Sequence, residues 1–558
     1  MKLFQKTAAL IYLMLIGIVT YAQHTYPLNY FTNPLATPIF LAGNFGECRP
    51  NHFHSGIDIK TLGKENLPVY AAASGYVSRI KLDAVGFGHA IYITHPNGFT
   101  TLYAHLNDFE PALQKFVRQQ QYAQKKWNID VTLNPDQFPV RQGQFIAYSG
   151  NTGSSTAPHL HFEIRNTLSE HPLNPMLFGL SIADTLAPIP IRICTYDRSK
   201  SNYDPTRKAY DLQKSGTAYL VKNIMYVSSS NPGWGIEIND YMQGSTNTLT
   251  YYTCRVYIDQ QLIQTITLDD IGYDVTRYMH AFVDYPLYKN SSSWVQLLFR
   301  LPGNALTHLY THPNQQFNWL PKEHHELKIE CIDALSNSTT IMGTIVVAAI
   351  DTVKNNYTLF PNTAYDFEKD AVAITIPENS VYDNAPFNPI IKSGTRLSPQ
   401  VITNQLAIPL HKAMRIAIRP NREVPIHLQN KVVMQCINQQ DTVYKAAVLD
   451  DERFVVTTKE LASFQLLIDT TAPAITLMTS AKQGKISNEL RFQVRDAYTS
   501  IASFQCTIDK HWICFEQRGK EWYYKMDAHC KPGKHVLEAF ATDENGNKKT
   551  LSFNFISK

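Results

Sequence analysis

Three short stretches in the first third of the chain carry side chains that could do chemistry together. They are His54-Ser-Gly-Ile-Asp58, Leu102-Tyr-Ala-His105-Leu106 and Gly150-Asn-Thr-Gly-Ser-Ser-Thr-Ala-Pro-His159-Leu-His161-Phe-Glu-Ile-Arg165. On a strand, side chains alternate, so His159, His161 and Glu163 should share one face while Leu160, Phe162 and Ile164 enter a core. Imidazole and carboxylate are sound zinc ligands, and a catalytic zinc takes three protein ligands and leaves a position for water. His54, Asp58 and one histidine of the 159/161 pair fill that count. The ion lowers the pKa of its water toward ~7, making hydroxide available near neutral pH. Histidine ligands must be neutral, so activity should fall as pH drops below their pKa. The glycine- and serine-rich turn before His159 would let backbone approach a substrate closely.

Blander readings exist for each histidine. With 19 His in 558 residues, roughly 0.6 His-x-His pairs arise at random, so the pair alone decides nothing. His52-Phe-His54 is a second such pair. A lone His105 in an apolar strand is more often a hydrogen-bonded core residue. His308 and His312 have helical metal-ligand spacing, but Pro313 follows and a third ligand is lacking. His324-His325 sits in a charged run and reads as solvated. What exceeds chance is the joint appearance of the three stretches, in order, within one segment.

In that order and wording the chain resembles the lysostaphin-type family of zinc peptidases, which act on bacterial cell walls. The resemblance covers roughly residues 41–175. It rests on the His-x-x-x-Asp, the Tyr-x-His-Leu, and the turn running into Pro-His-Leu-His-Phe-Glu. It implies that His54, Asp58 and His161 bind Zn2+, and that His159 and His105 are an unliganded pair flanking the water. One of the pair would take a proton from the water and the other would hydrogen-bond the oxyanion. The position of His159 beside His161 favours it as the base. Glu163 would either orient a ligand or sit on the rim. The implied scaffold is small, all-β and lysostaphin-like, with the metal in a groove across a sheet. This chain departs from the family in three places: Ala157 stands where glycine is usual, His52 is an extra imidazole, and residues 106–140 are an insertion. The insertion should lie near one wall of the groove, shaping specificity or closing the site.

The elements that must position these groups are mostly strands. Residues 69–73, 75–81, 90–95, 100–105, 144–149 and 159–165 are short, β-branched or aromatic, and separated by Gly, Pro or Asn turns. Residues 111–127 instead favour a helix, with Leu113, Phe116, Val117 and Tyr122 expected on one face. Beyond Leu180 the texture stays β-rich. Asp184-Thr-Leu-Ala-Pro188 is echoed by Asp469-Thr-Thr-Ala-Pro473, and Asp333-Ala-Leu-Ser-Asn337 by Asp543-Glu-Asn-Gly-Asn547. The echoes predict two related sandwich-like modules, 187–350 and 470–558, with a third β-rich module at 355–468. They resemble the Ig-like accessory modules of exported bacterial proteins.

The whole is thus mainly β: a signal peptide (1–22), a metallopeptidase domain (26–182) with a short helical insertion, and three sandwich-like modules. Residues 1–22 have a basic start, a short apolar run and a small residue at the expected cut after Ala22. No later segment is long and apolar enough for a membrane span, and the 341–350 run reads as a buried strand. Lys and Arg number 51 against 47 Asp and Glu, a surplus too small to argue for nucleic acid. Eight cysteines are too sparse for a disulfide scaffold, though Cys506, Cys514 and Cys530 could supply one pair. The function expected is an exported, periplasmic or outer-surface zinc endopeptidase that cuts the peptide cross-links of peptidoglycan. The contrasting reading is a non-catalytic wall-binding protein or activator of another hydrolase. Retention of every ligand argues against it, as does the proton-handling pair. The accessory modules would bind wall or a protein partner.

Overall fold

The computed structural model describes residues 26–228, 231–311, 317, 319–348, 356–393, 397–403, 406–438, 441–479, 485–486 and 488–557. The signal-like segment 1–22, His312 and residues 349–350 lie outside these. Among the described residues no helix is long and apolar enough to cross a membrane.

The first domain is an antiparallel sheet built on β1 (Leu41–Gly43), β2 (Ile57–Lys60), β3 (Gly75–Leu82), β4 (His89–Thr94) and β5 (Phe99–Phe109). A helix α1 (Pro111–Gln124) follows, then β6 (Phe145–Ser149) and β7 (His159–Asn166). The spatial order runs β1–β2–β7–β5–β4–β3 and on to Pro139–Val140. Three strands remote in sequence are therefore neighbours: His161 lies opposite Asp58 of β2 on one side and Ala104 of β5 on the other. Alternation on β7 sends Leu160, Phe162 and Ile164 into a core shared with Ile57, Ile59, Ile91, Ile93 and Tyr103. All of these are fully buried, and each such aliphatic or aromatic side chain is worth roughly 1.5–3 kcal/mol of transfer energy. Their rigidity fixes the opposite face, which carries the polar groups.

Helix α1 begins where Glu110 accepts from the amides of Ala112 and Leu113, with Pro111 opening the first turn. Leu113 and Val117 are buried and Phe116 packs beside them. Tyr122 does not share that face. Nine residues beyond Leu113 is half a turn out of phase at 3.6 residues per turn, and Tyr122 stacks instead on His529 of the last module, centroids 3.8 Å apart.

Among the described residues the second module is a single eleven-stranded network. It includes β8 (Ile189–Asp197) and β9 (Pro232–Asn239), and it curls around Trp234, Ile236, Val256, Ile329 and Ile341. Residues 365–468 form two five-stranded sheets over a shared core. The last module pairs a four-stranded sheet, containing β10 (Ala474–Leu477) and β11 (Glu489–Arg495), with a five-stranded one. This module returns to the first domain: His89 Nε2 lies 3.4 Å from Glu516, and Arg118 of α1 donates to Cys514 Sγ. All eight cysteines are free thiols, so no pair forms among Cys506, Cys514 and Cys530. Cys254 and Cys331, opposite one another on paired strands, come nearest, with sulfurs 3.6 Å apart.

Candidate metal centre

Asp58 on β2 and His161 on β7 meet because they are register partners. His54 reaches them from the turn four residues before Asp58. His54 Nε2, His161 Nδ1 and Asp58 Oδ1 form a triangle with edges of 3.0, 2.9 and 3.1 Å. Tetrahedral ligands about 2.05 Å from zinc stand about 3.3 Å apart, so a small opening separates this triangle from a coordination face. All three side chains are buried, and two imidazoles with one carboxylate are a donor set that suits zinc. The cluster could therefore hold a metal ion.

Each ring's second nitrogen is held by an acceptor, which fixes what the first nitrogen offers. His54 Nδ1–H donates to the Asn44 carbonyl at 2.8 Å, leaving a lone pair on Nε2. His161 Nε2–H donates to Glu163 Oε1 at 2.8 Å, leaving Nδ1. His159 Nδ1–H donates to the Ala157 carbonyl at 2.8 Å, and its Nε2 faces Asp58 Oδ1 at 3.4 Å. His105 Nδ1–H donates to the Thr152 carbonyl at 2.8 Å. The His105 ring lies 4.7 Å from that of His159 and 5.9 Å from that of His161, centroid to centroid. All five side chains expected at the site thus converge.

The electrostatics separate them. Burial, only partly offset by Asp58, pushes His54 down to about 4, where it is a neutral ligand at physiological pH. Burial also opposes a proton on His161, yet the hydrogen bonds it donates to Asp58 and Glu163, with their charges, hold it up to about 9. A metal ion entering the triangle must displace that proton. Burial, followed by the charges of His161 and His159, pushes His105 down to about 3. Asp58 stays ionised: burial works to raise it, but His54, His159 and His161 hold it well below the usual carboxylate range.

Several participants carry no sequence signal. Arg49 donates to Asp58 Oδ2 at 2.6 Å, so Asp58 turns only Oδ1 toward the histidines. Glu163 is not on the rim. It is fully buried and accepts from Ser55, from Arg165 Nε and from Tyr273, which comes from the second module. Burial alone would raise it, but Arg165 and His161 pull it down to about 2. His52 turns away to the Pro50 carbonyl and is exposed. His308 bonds the Asp270 carbonyl, and His324 stays exposed. The glycines of the turn pack on the protein, while Ser154, Thr156 and Ala157 after them stay exposed. Gly153 at φ 73° abuts the Gly86 and Gly88 backbone, which holds Thr152 where its carbonyl anchors His105.

Residues 52–175 match the family described as Peptidase family M23, and residues 356–469 match a Zu5-like domain. The DD-carboxypeptidase/endopeptidase Mpg of Neisseria meningitidis serogroup B is 35% identical over 127 residues, 23% of each chain. An uncharacterized metalloprotease of Haemophilus influenzae is 32% identical over 143 residues, 25% of this chain and 24% of that one. The chain thus spans about a quarter of the length of the curated relatives it matches. The catalytic domain of lysostaphin from Staphylococcus simulans is 27% identical, covering 24% of this chain and 88% of that one with a TM-score of 0.18.

Proposed function

Residues 52–175 being a lysostaphin-type M23 peptidase domain, we propose that the chain is an exported zinc endopeptidase that hydrolyses peptide cross-links of peptidoglycan. The observation that carries this reading is the triangle of donor atoms on His54, Asp58 and His161, all turned inward, with two further imidazoles on the same side. These three residues would hold Zn2+, which when bound supplies Lewis-acid polarisation and an acidified water.

The remaining steps belong to His159 and His105. With Nδ1–H committed to a backbone carbonyl, each neutral ring presents Nε2 as a proton acceptor. His159 is the base, because burial so disfavours a proton on His105. The same hydrogen bond to Thr152 leaves neutral His105 without an N–H for the oxyanion, so its support of that charge requires a proton passed within the pair. Glu163, Arg165 and Tyr273 orient His161, and Arg49 holds Asp58.

The name of the Neisseria relatives, DD-carboxypeptidase/endopeptidase, favours a D-Ala–diaminopimelate link over a glycine bridge as the target, in the periplasm or at the outer surface. The later modules would then bind wall or a protein partner. The test is to incubate the full chain with defined peptidoglycan fragments and identify products by mass spectrometry, with and without a chelator. His161→Ala should lose the metal, whereas His159→Ala should keep it and lose roughly 10²–10⁴-fold in turnover. Cleavage that survives both the chelator and His159→Ala overturns the reading.

A further inference from the structure

The two sequence echoes beyond Leu180 supply four aspartates, and Asp240 and Asp496 join them to make two groups of three. Asp184, Asp240 and Asp333 offer ligand oxygens within 4.8 Å of one another, and so do Asp469, Asp496 and Asp543. The two groups are built alike. Asp184 lies five residues before β8 and Asp469 five before β10. Asp240 directly follows the end of β9, and Asp496 the end of β11. The registers agree as well: Ile189 at the start of β8 faces Asn239, and Ala474 at the start of β10 faces Arg495. The third member opens a tight turn in both cases. Asn337 donates its amide to Asp333 Oδ1 and its side chain to Asp333 Oδ2, and Asn547 does the same to Asp543. Those asparagines also reach the main-chain carbonyls of Asp184 and Asp469, respectively.

The turns satisfy only some of the oxygens. Asp240 Oδ1 and Asp469 Oδ2 have no hydrogen-bond partner among the described residues, although Asp240 is 2% exposed and Asp469 0%. Asp496 Oδ2 is orphaned too. Buried carboxylate oxygens without partners are unfavourable unless something of opposite charge meets them. Burial, with the Asp333 and Asp184 charges beside it, pushes Asp240 up to about 8, as expected of like charges crowded together. Donors that are all oxygen match a hard divalent cation. Ligands at 2.3–2.6 Å from one Ca2+ lie up to about 5 Å apart, which admits the spacing found.

We propose that both clusters are Ca2+ sites, one at each of two module junctions. At the first, the ion ties the linker leaving the peptidase domain to the second module. The loop after Asp240 places Met242 and Leu249 in the peptidase core, and Ala334 and Leu335 after Asp333 pack against the same core. At the second, Asp469 closes the third module, and Asn545 in the Asp543 turn donates to the carbonyls of Asn430 and Val432. Occupied sites hold neighbouring modules in one orientation.

The test is calorimetric titration of the full, zinc-loaded chain with CaCl2. Two equivalents should bind, with dissociation constants around 10⁻⁴–10⁻³ M, the range of extracellular calcium modules. Asp240→Asn and Asp496→Asn keep side-chain shape, and each should remove one equivalent. The double variant should bind none. Ca2+ should raise the unfolding temperature of the wild type and leave that of the double variant unmoved, a comparison in which the variant's cooperative transition also reports that it is folded. No binding up to about 10 mM, or two equivalents persisting in the double variant, overturns the proposal. One equivalent in the wild type, lost with only one of the two substitutions, overturns it for the other junction.

Discussion

A neutral imidazole has one N–H and one lone pair, so a residue that captures the N–H decides what the ring can do. Glu163 performs that service for His161 while standing opposite the buried Arg165 guanidinium. Glu163→Gln keeps the shape and removes the charge. Zinc affinity, read by competition with a chromophoric chelator, should fall about 10–100-fold. The bared Arg165 should cost about 3–5 kcal/mol in stability. Unchanged affinity would remove Glu163 from the centre's supporting shell. Residue types, short spacings and strand parity brought out His54, Asp58 and the 159/161 pair, because that chemistry is local, but only the family resemblance singled out His161 of the pair. Arg49, Asn44, Thr152 and Tyr273 were not legible, since a common residue type identifies itself only through a fold-dependent contact, 110 residues away in the case of Tyr273 and Glu163.

At the scale of elements, β5 does more than alternate. Leu106 pairs with His89 and Tyr103 with Ile91, so Ala104 and His105 together oppose Ala90. This is a bulge, and His105 sits in it at φ 58°. The extra residue re-aims the ring toward His159, which a regular strand would not do. Left-handed backbone is tolerated by asparagine and resisted by β-branched residues. His105→Val should therefore be less stable than His105→Asn by about 1–2 kcal/mol, measured by denaturant unfolding, although both lose the imidazole. Equal stability would mean the bulge imposes no conformational demand. Strands such as β7 were readable because apolar and polar residues alternate along them, although both faces of β7 are buried, whereas a bulge depends on the partner strand and leaves no mark in a single sequence. The phase of α1 could have been read: counting residues puts Tyr122 opposite Leu113.

On the scale of the whole molecule, acid sensitivity has a source outside the centre. His280 of the second module is 3% exposed, and its Nδ1 has no partner among the described residues. Burial, then Arg277 and Lys289, push it down to about 3. Its folded value lies below the ~6.5 of an unfolded chain, so the folded state binds fewer protons. That stability is complete above about pH 6.5 and is lost as pH falls toward 3. Between pH 7 and 5 the wild type should lose about 2 kcal/mol more than His280→Gln, measured on the unfolding transition of the second module. Identical pH profiles would exclude His280. The module echoes were visible in the sequence, but the fold-back of the last module was not, since a docking face carries no periodicity of its own.

That fold-back has a consequence for biogenesis. His89 and α1 leave the ribosome hundreds of residues before Glu516, Cys514 and His529 exist to meet them. At about 5–20 residues per second, the wait is roughly 20–80 s. The peptidase domain therefore spends its youth with one flank bare, and a premature stop codon before Cys514 would leave it so permanently.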